Sequence, residues 1–276
     1  MRIDAHQHFW KFDPVRDAWI DETMQVIRHD FLPQDLEPLL SRNRIEGCVA
    51  VQADQSEQET LFLLELASQH AFIKKVVGWI DLTAENLEEK LDVLGEHDRL
   101  AGFRHILQAE PPEKMEQPAF RRGIAELASR GFTYDILIFP EHLEAATSLV
   151  DAFPKQLFVI DHLAKPRIRE KLLDPWRKQM QDIARRPNVF CKLSGMVTEA
   201  DLRHWKPEDL RPYMEVVLEA FGPSRVMYGS DWPVCLLAAD YGQVLHSVEQ
   251  YIVTLSRAEQ QQIMGTTAMR FYKITN

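Results

Sequence analysis

The sequence predicts an α/β protein, a (β/α)8 barrel built as a single domain over residues 1–276. Three observations carry that expectation. Eight short runs rich in Val, Ile and Phe recur along the chain, and longer amphipathic stretches separate them. No G-x-G-x-x-G loop and no Gly/Ser linker interrupts the rhythm. Strand–helix alternation calls for parallel strands joined by helical crossovers, and eight such units close into a barrel. The alternative, an open doubly wound sheet, often announces a nucleotide site with the loop that is missing here.

The elements follow in order. The first strand is "RIDAHQH" (2–8). A long connection, roughly 9–34, holds Trp10, Trp19 and Pro33 and is expected to form a lid or wall over the barrel mouth. "GCVAVQAD" (47–54) is the second strand, followed by the helix "SEQETLFLLELASQH" (56–70). In that helix Leu61, Leu64, Leu66 and Ala67 fall near one stripe, and Ser56 with Glu59 reads as a capping box. "KVVGWIDL" (75–82), "GFRHIL" (102–107) and "FTYDILIF" (132–139) are the next strands, with helical patterns between them. Gly131 stops the helix before the fifth strand. "LFVIDHLA" (157–164), "VFCKLSG" (189–195) and "RVMYGSD" (225–231) complete the set, with Gly222 and Pro223 stopping the helix before the last.

Composition narrows the function. A net charge of −10 argues against nucleic acid as partner, since that affinity comes from basic patches. No apolar run approaches the ~20 residues of a membrane helix. The N-terminus lacks a signal-peptide pattern, so the expected location is cytoplasmic. Cys48, Cys191 and Cys235 lie in or beside apolar runs with no CxxC pair. They read as buried free thiols, not as a zinc–thiolate site.

A barrel enzyme gathers its chemistry at the C-terminal ends of its strands. Here those ends are polar: His6 and His8, Gln52 and Asp54, Trp79 and Asp81, Arg104 and His105, Asp161 and His162, Lys192 and Ser194, then Asp231 before Trp232. Tyr134 and Asp135 sit within the fifth run. His6 and His8, two residues apart on a strand, project from one face and can grip one atom together. Within the pairs 104/105 and 161/162, only one member can face the axis unless the strand has ended. His29, His70, His97, His142, His204 and His246 fall in helix or loop patterns and read as surface or capping groups.

With those residues in view, the sequence resembles the amidohydrolase superfamily, and within it the sugar-lactonase branch of L-fuconolactonases and L-rhamnonolactonases. The carriers are "DAHQHFW", "VQADQSEQET", "GWIDL", "GFRH", "DHLAKP", "CKLSGM" and "YGSDWPV", in order along nearly the whole chain. The resemblance implies a hydrolase that opens a small sugar lactone, with a place in L-fucose catabolism. It also implies that no metal is required. Metal-rich members place a ligating Lys or Glu on the fourth strand and a His on the fifth. Arg104, His105, Tyr134 and Asp135 stand there instead, so a binuclear centre is not expected. A single zinc on His6, His8 and Asp231 stays open.

Lactone hydrolysis needs a base, oxyanion stabilisation and a grip on the ring. Asp231 is the expected base, with burial raising its pKa. His6, His8 and His162 are expected to polarise the carbonyl. Arg104, His105, Lys192 and Gln52 are expected to bind ring hydroxyls or the product carboxylate, and Trp10, Trp79 and Trp232 to stack on the sugar. No G-x-S-x-G elbow supports a serine nucleophile, so water attacks directly. Two rivals stay open. One is decarboxylation or pyrone-dicarboxylate hydrolysis on the same fold, which would call for several arginines. The other is a non-catalytic sugar-binding protein. The sequence leaves ring size, sugar configuration and oligomeric state undecided.

Overall fold

The computed structural model describes residues 1–275. Eight parallel strands run in sequence order around one sheet: β1 (Ile3–Gln7), β2 (Gly47–Val51), β3 (Ile73–Gly78), β4 (Leu100–His105), β5 (Thr133–Ile136), β6 (Phe158–Ile160), β7 (Val189–Leu193) and β8 (Val226–Tyr228). Helices surround them: α1 (Pro33–Arg42), α2 (Glu57–Gln69), α3 (Leu87–Leu94), α4 (Pro118–Arg130), α5 (Leu143–Ala152), α6 (Trp176–Ile183), α7 (Met196–Glu199), α8 (Pro207–Phe221), α9 (Tyr241–Ile252), α10 (Arg257–Gln261) and α11 (Thr267–Phe271). The predicted (β/α)8 barrel is the observed architecture. Among the described residues no helix is long and apolar enough to cross a membrane.

Every strand but β4 is shorter than its apolar run, and β4 keeps the six-residue length but begins two residues earlier, at Leu100. The sixth run was expected over 157–164, but β6 ends at Ile160, and His162 to Lys165 then turn left-handed. β8 meets β1 through two bonds beyond its own ladder. Asp231 N–H donates to the His6 carbonyl (2.8 Å), and His8 N–H donates to the Trp232 carbonyl (2.7 Å). The bonds that close the barrel therefore bring Asp231 beside both histidines.

Two apolar layers hold this arrangement. Inside the barrel, Ile3, Val49, Val77, Val159, Phe190 and Met227 pack on Phe271 and Tyr272, which plug its floor. Outside, the helices lay Leu63, Leu91, Ile124, Leu149, Met180, Val217 and Val248 against the sheet. Burying side chains of this size is worth about 1.5–3 kcal/mol each against exposure.

Three expectations change. The buried face of α2 is Thr60, Leu63, Leu64 and Ala67, while Leu61 is exposed. Ser56 Oγ caps Glu59 N–H (3.1 Å), but the Glu59 carboxylate goes to Ala53 N–H (3.1 Å), so the capping box is only half made. Glu59 bonds the β2–α2 loop instead of the cap backbone. His142 is buried, its Nε2 donating to the Glu110 carbonyl (2.9 Å).

The long first connection forms a wall at the mouth. Trp10 and Phe31 exchange backbone bonds at 3.0 and 2.9 Å, and Trp10 Nε1–H donates to the His29 carbonyl (2.9 Å). This pins both ends of the excursion and leaves Trp19 at the rim of the mouth cavity.

Candidate active site

The site begins with backbone devices. Two glycines make room for imidazoles. A Cβ on Gly229 would lie 2.6 Å from His6 Cβ, and one on Gly195 would lie 2.5 Å from His162 Nδ1. Gly195 also has φ +61°, which disfavours any other residue. Next comes a run of left-handed residues, His162, Leu163, Ala164 and Lys165, with φ between 49° and 56°. Left-handed backbone costs roughly 1–2 kcal/mol per L-residue, so the rest of the fold must hold it there. The run brings both Asp161 and His162 to the site, although they are sequence neighbours.

Asp4 and His6 have the same strand parity, yet Asp4 takes a hydrogen bond from Tyr241 of α9 (3.0 Å) while His6 meets the interior groups. A register irregularity between Asp4 and Gln7 accounts for the switch. Beneath His6 lies a column of charge. Lys192 Nζ touches three acceptors: Asp135 Oδ2 (2.6 Å), Asp161 Oδ1 (2.9 Å) and His6 Nδ1 (3.1 Å). Tyr272 donates to Asp135 Oδ2 (2.8 Å) from the barrel floor. Arg104 Nη1 donates to Asp161 Oδ2 (3.0 Å), and Nη2 donates to the Gln52 carbonyl and to Gln52 Oε1 (3.0 Å).

Above the column, ring and carboxylate atoms converge. His6 Nε2 and His8 Nε2 are 3.2 Å apart. Asp231 Oδ1 lies 3.4 Å from His8 Nε2, 3.8 Å from His6 Nε2 and 3.9 Å from His162 Nε2. The tautomer of His8 follows from its partner. Its Nδ1 is 2.7 Å from the Val51 carbonyl, which can only accept, so the proton is on Nδ1 and Nε2 is bare. His162 Nδ1 lies 2.9 Å from Ser194 Oγ.

Burial pulls His162 down to about 4 and holds His6 well below its ordinary value, with the nearby Lys192 charge adding to the latter. The expected rise of Asp231 is corrected. Burial does push it up, but the imidazoles around it, His162 foremost, outweigh this and hold it below the carboxylate range. Asp135 rises to about 6 through burial. At neutral pH an ionised Asp231 therefore faces His6 and His162 in their neutral forms.

A cavity of about 360 Å³ opens over this cluster. His8, Arg104, His162 and Asp231 line it, together with Trp19, Gln55, Gln108, Lys165 and Thr198. Its apolar wall includes Ile106, Leu137 and Val234. Several predicted contacts stand behind this wall. Gln52 and Lys192 are fully buried and spent on Arg104 and on the column. His105 turns the other way, taking Trp79 Nε1–H (3.3 Å) and facing Glu110 (3.6 Å). Trp10 and Trp232 are buried around Phe31, at ring distances of 5.6 and 5.2 Å. Of the tryptophans, Trp19 lines the cavity, 44% exposed and edge-on to Trp10. Lys165 and Gln55 were present in the quoted stretches "DHLAKP" and "VQADQSEQET", and Gln108 follows the fourth apolar run by one residue. Their strand-end positions were the available signal.

The amidohydrolase family model matches residues 3–274. The chain is 41% identical to an L-fucono-1,5-lactonase of Burkholderia multivorans, over 99% of this chain and 96% of that one. A crystal structure of a B. multivorans amidohydrolase with bound Zn superposes with a TM-score of 0.96 at 41% identity, covering 100% of both chains. A probable 2-pyrone-4,6-dicarboxylic acid hydrolase of Acinetobacter baumannii, 16% identical with a TM-score of 0.82 over 99% of both chains, shares the fold.

Proposed function

This chain belongs to the amidohydrolase family, and from that premise we propose that it opens a six-membered sugar lactone of the L-fucono-1,5-lactone kind to the aldonic acid. The observation that carries the reading is the convergence of Asp231, His8 and His162, which line one cavity, with His6 buried directly behind them. All of it is built on one barrel, which we take to act as a single domain.

Asp231 accepts a proton from water as the water oxygen adds to the lactone carbonyl carbon. A base held ionised by its surroundings is ready at neutral pH. With Ser194 Oγ–H as donor in its 2.9 Å contact to His162 Nδ1, the His162 proton sits on Nε2 and donates to the developing oxyanion. Bare at Nε2, His8 cannot make that donation while neutral. Its part is to accept, either from His6 Nε2–H or at a cation. When the tetrahedral adduct collapses, the ring C–O bond breaks. Asp231 returns its proton to the ring oxygen, which becomes a hydroxyl, and the acid product ionises.

The same atoms fit a divalent ion. His6 Nε2, His8 Nε2 and Asp231 Oδ1 are 3.2–3.8 Å apart, close to the ~3.4 Å expected for tetrahedral ligands at zinc–nitrogen bond lengths. Asp161, 3.4 Å from His6 Nδ1, stands where a carboxylate behind a ligating histidine belongs. When bound, such an ion supplies a Lewis acid for the carbonyl.

A neutral lactone suits the wall better than a dicarboxylate. The cations lining the cavity are Arg104 and Lys165, and Arg104 is already paired with Asp161 at 3.0 Å. The test is proton release from a panel of aldonolactones by metal-stripped protein, with and without added zinc. Fast hydrolysis of L-fucono-1,5-lactone is expected. No turnover across the panel under either condition would overturn the reading.

A further inference from the structure

Gln108 sits in the short 3-10 turn Leu107–Ala109 that follows β4. Its backbone N–H donates to the Leu137 carbonyl (3.0 Å), which ties the turn to the chain just past β5. The residue lines the mouth cavity, yet its Oε1 is buried with no hydrogen-bond partner. Gln55, on the same wall, differs: its Oε1 accepts the Ile106 N–H at 2.8 Å. Gln7, Gln156 and Gln179 also carry a partnerless Oε1, but none of them lines this cavity.

An unmet buried acceptor costs free energy, and folded proteins keep few of them. One held on anchored backbone at a cavity wall is set to receive a donor from a ligand. Its neighbours Ile106, Ala109 and Leu137 have no side-chain donor to offer, and the Gln55 amide, spent through its Oε1 on Ile106 N–H, makes no bond to it. The lactone ring offers none either, because an ester presents only oxygen acceptors. The donors that an aldonolactone brings are its ring hydroxyls.

We infer that Gln108 is a specificity-determining residue that accepts a hydrogen bond from a ring hydroxyl and so selects hydroxylated lactones over bare ones. The inference rests on the lactonase reading. A site built to bond a hydroxyl discriminates against an analogue lacking it, because the acceptor is then left unpaired.

The test compares L-fucono-1,5-lactone with δ-valerolactone, the unsubstituted six-membered ring, in wild type and in Gln108→Met. Wild type should prefer the sugar lactone in kcat/KM, and the variant should lose about tenfold of that preference. The loss should come from the sugar lactone alone, so δ-valerolactone turnover also reports that the variant is folded. A ratio that does not change, whether both rates fall or neither does, overturns the inference. Wild-type protein that hydrolyses neither lactone overturns the lactonase reading instead.

Discussion

The column inside the barrel and the cavity above it are built from the same strands and the same kinds of side chain, yet they differ in one respect. In the column Lys192 meets three acceptors, and Tyr272 adds a bond to Asp135. In the cavity Gln108 Oε1 has no partner, and Asp231 faces imidazoles that burial keeps neutral. Inside the barrel the charges are paired with one another and closed off from the cavity, even where an atom such as Asp135 Oδ1 is left without a hydrogen bond. An unpaired polar atom at the cavity wall is one to which a ligand can add a bond. A charged residue at a barrel strand end is thus evidence for a site only after its partners are counted.

Substitutions can break this contrast. Asp231→Asn should reduce kcat about a thousandfold, the range of a lost general base, with thermal stability unchanged or raised. A large fall in melting temperature would move Asp231 into the structural class. Lys192→Met should do the reverse. It strands Asp135 and Asp161 in the interior, at a cost of about 3 kcal/mol or more in unfolding free energy by denaturant titration. Retained stability would show that the column is not self-supporting.

Trp19 sharpens the cavity side. Trp19→Ala should raise KM by about tenfold with little change in kcat, since stacking on a ring is made in ground state and transition state alike. A fall in kcat at constant KM would instead assign it to the chemistry. The smallest effect concerns Glu59, a carboxylate satisfied only in part by Ala53 N–H. Burial pushes it up to about 7 from 4.5, while the Ala53 bond and Arg16 oppose the rise. A carboxyl raised in the folded state binds more protons there than when unfolded. Its stabilising contribution is therefore full below about 4.5 and is lost as pH rises through about 7. The melting temperature of wild type relative to Glu59→Gln should fall between pH 5 and pH 8. A constant difference would mean that Glu59 titrates normally.

The alternation of apolar runs and amphipathic stretches determined the barrel, because each period matches one backbone geometry and eight parallel units have a single compact closure. The strand ends also located the mouth and named His6, His8, His162 and Asp231. Tertiary structure decided which polar residues line the cavity. Lys192 and Gln52 are as polar as Gln108, but nearby buried charges and carbonyls claimed them, and no local pattern encodes a partner some 57 or 52 residues away. Sequence gave no sign that Asp4 and His6 would face opposite ways, because a register irregularity breaks the period on which parity depends. The sequence placed Trp19 in a connection expected to wall the mouth but did not single it out from Trp10; it reaches the cavity because the Trp10–Phe31 pairing folds that connection back over the mouth. Periodicity is a property of neighbours in the chain, whereas hydrogen-bond satisfaction is a property of neighbours in space.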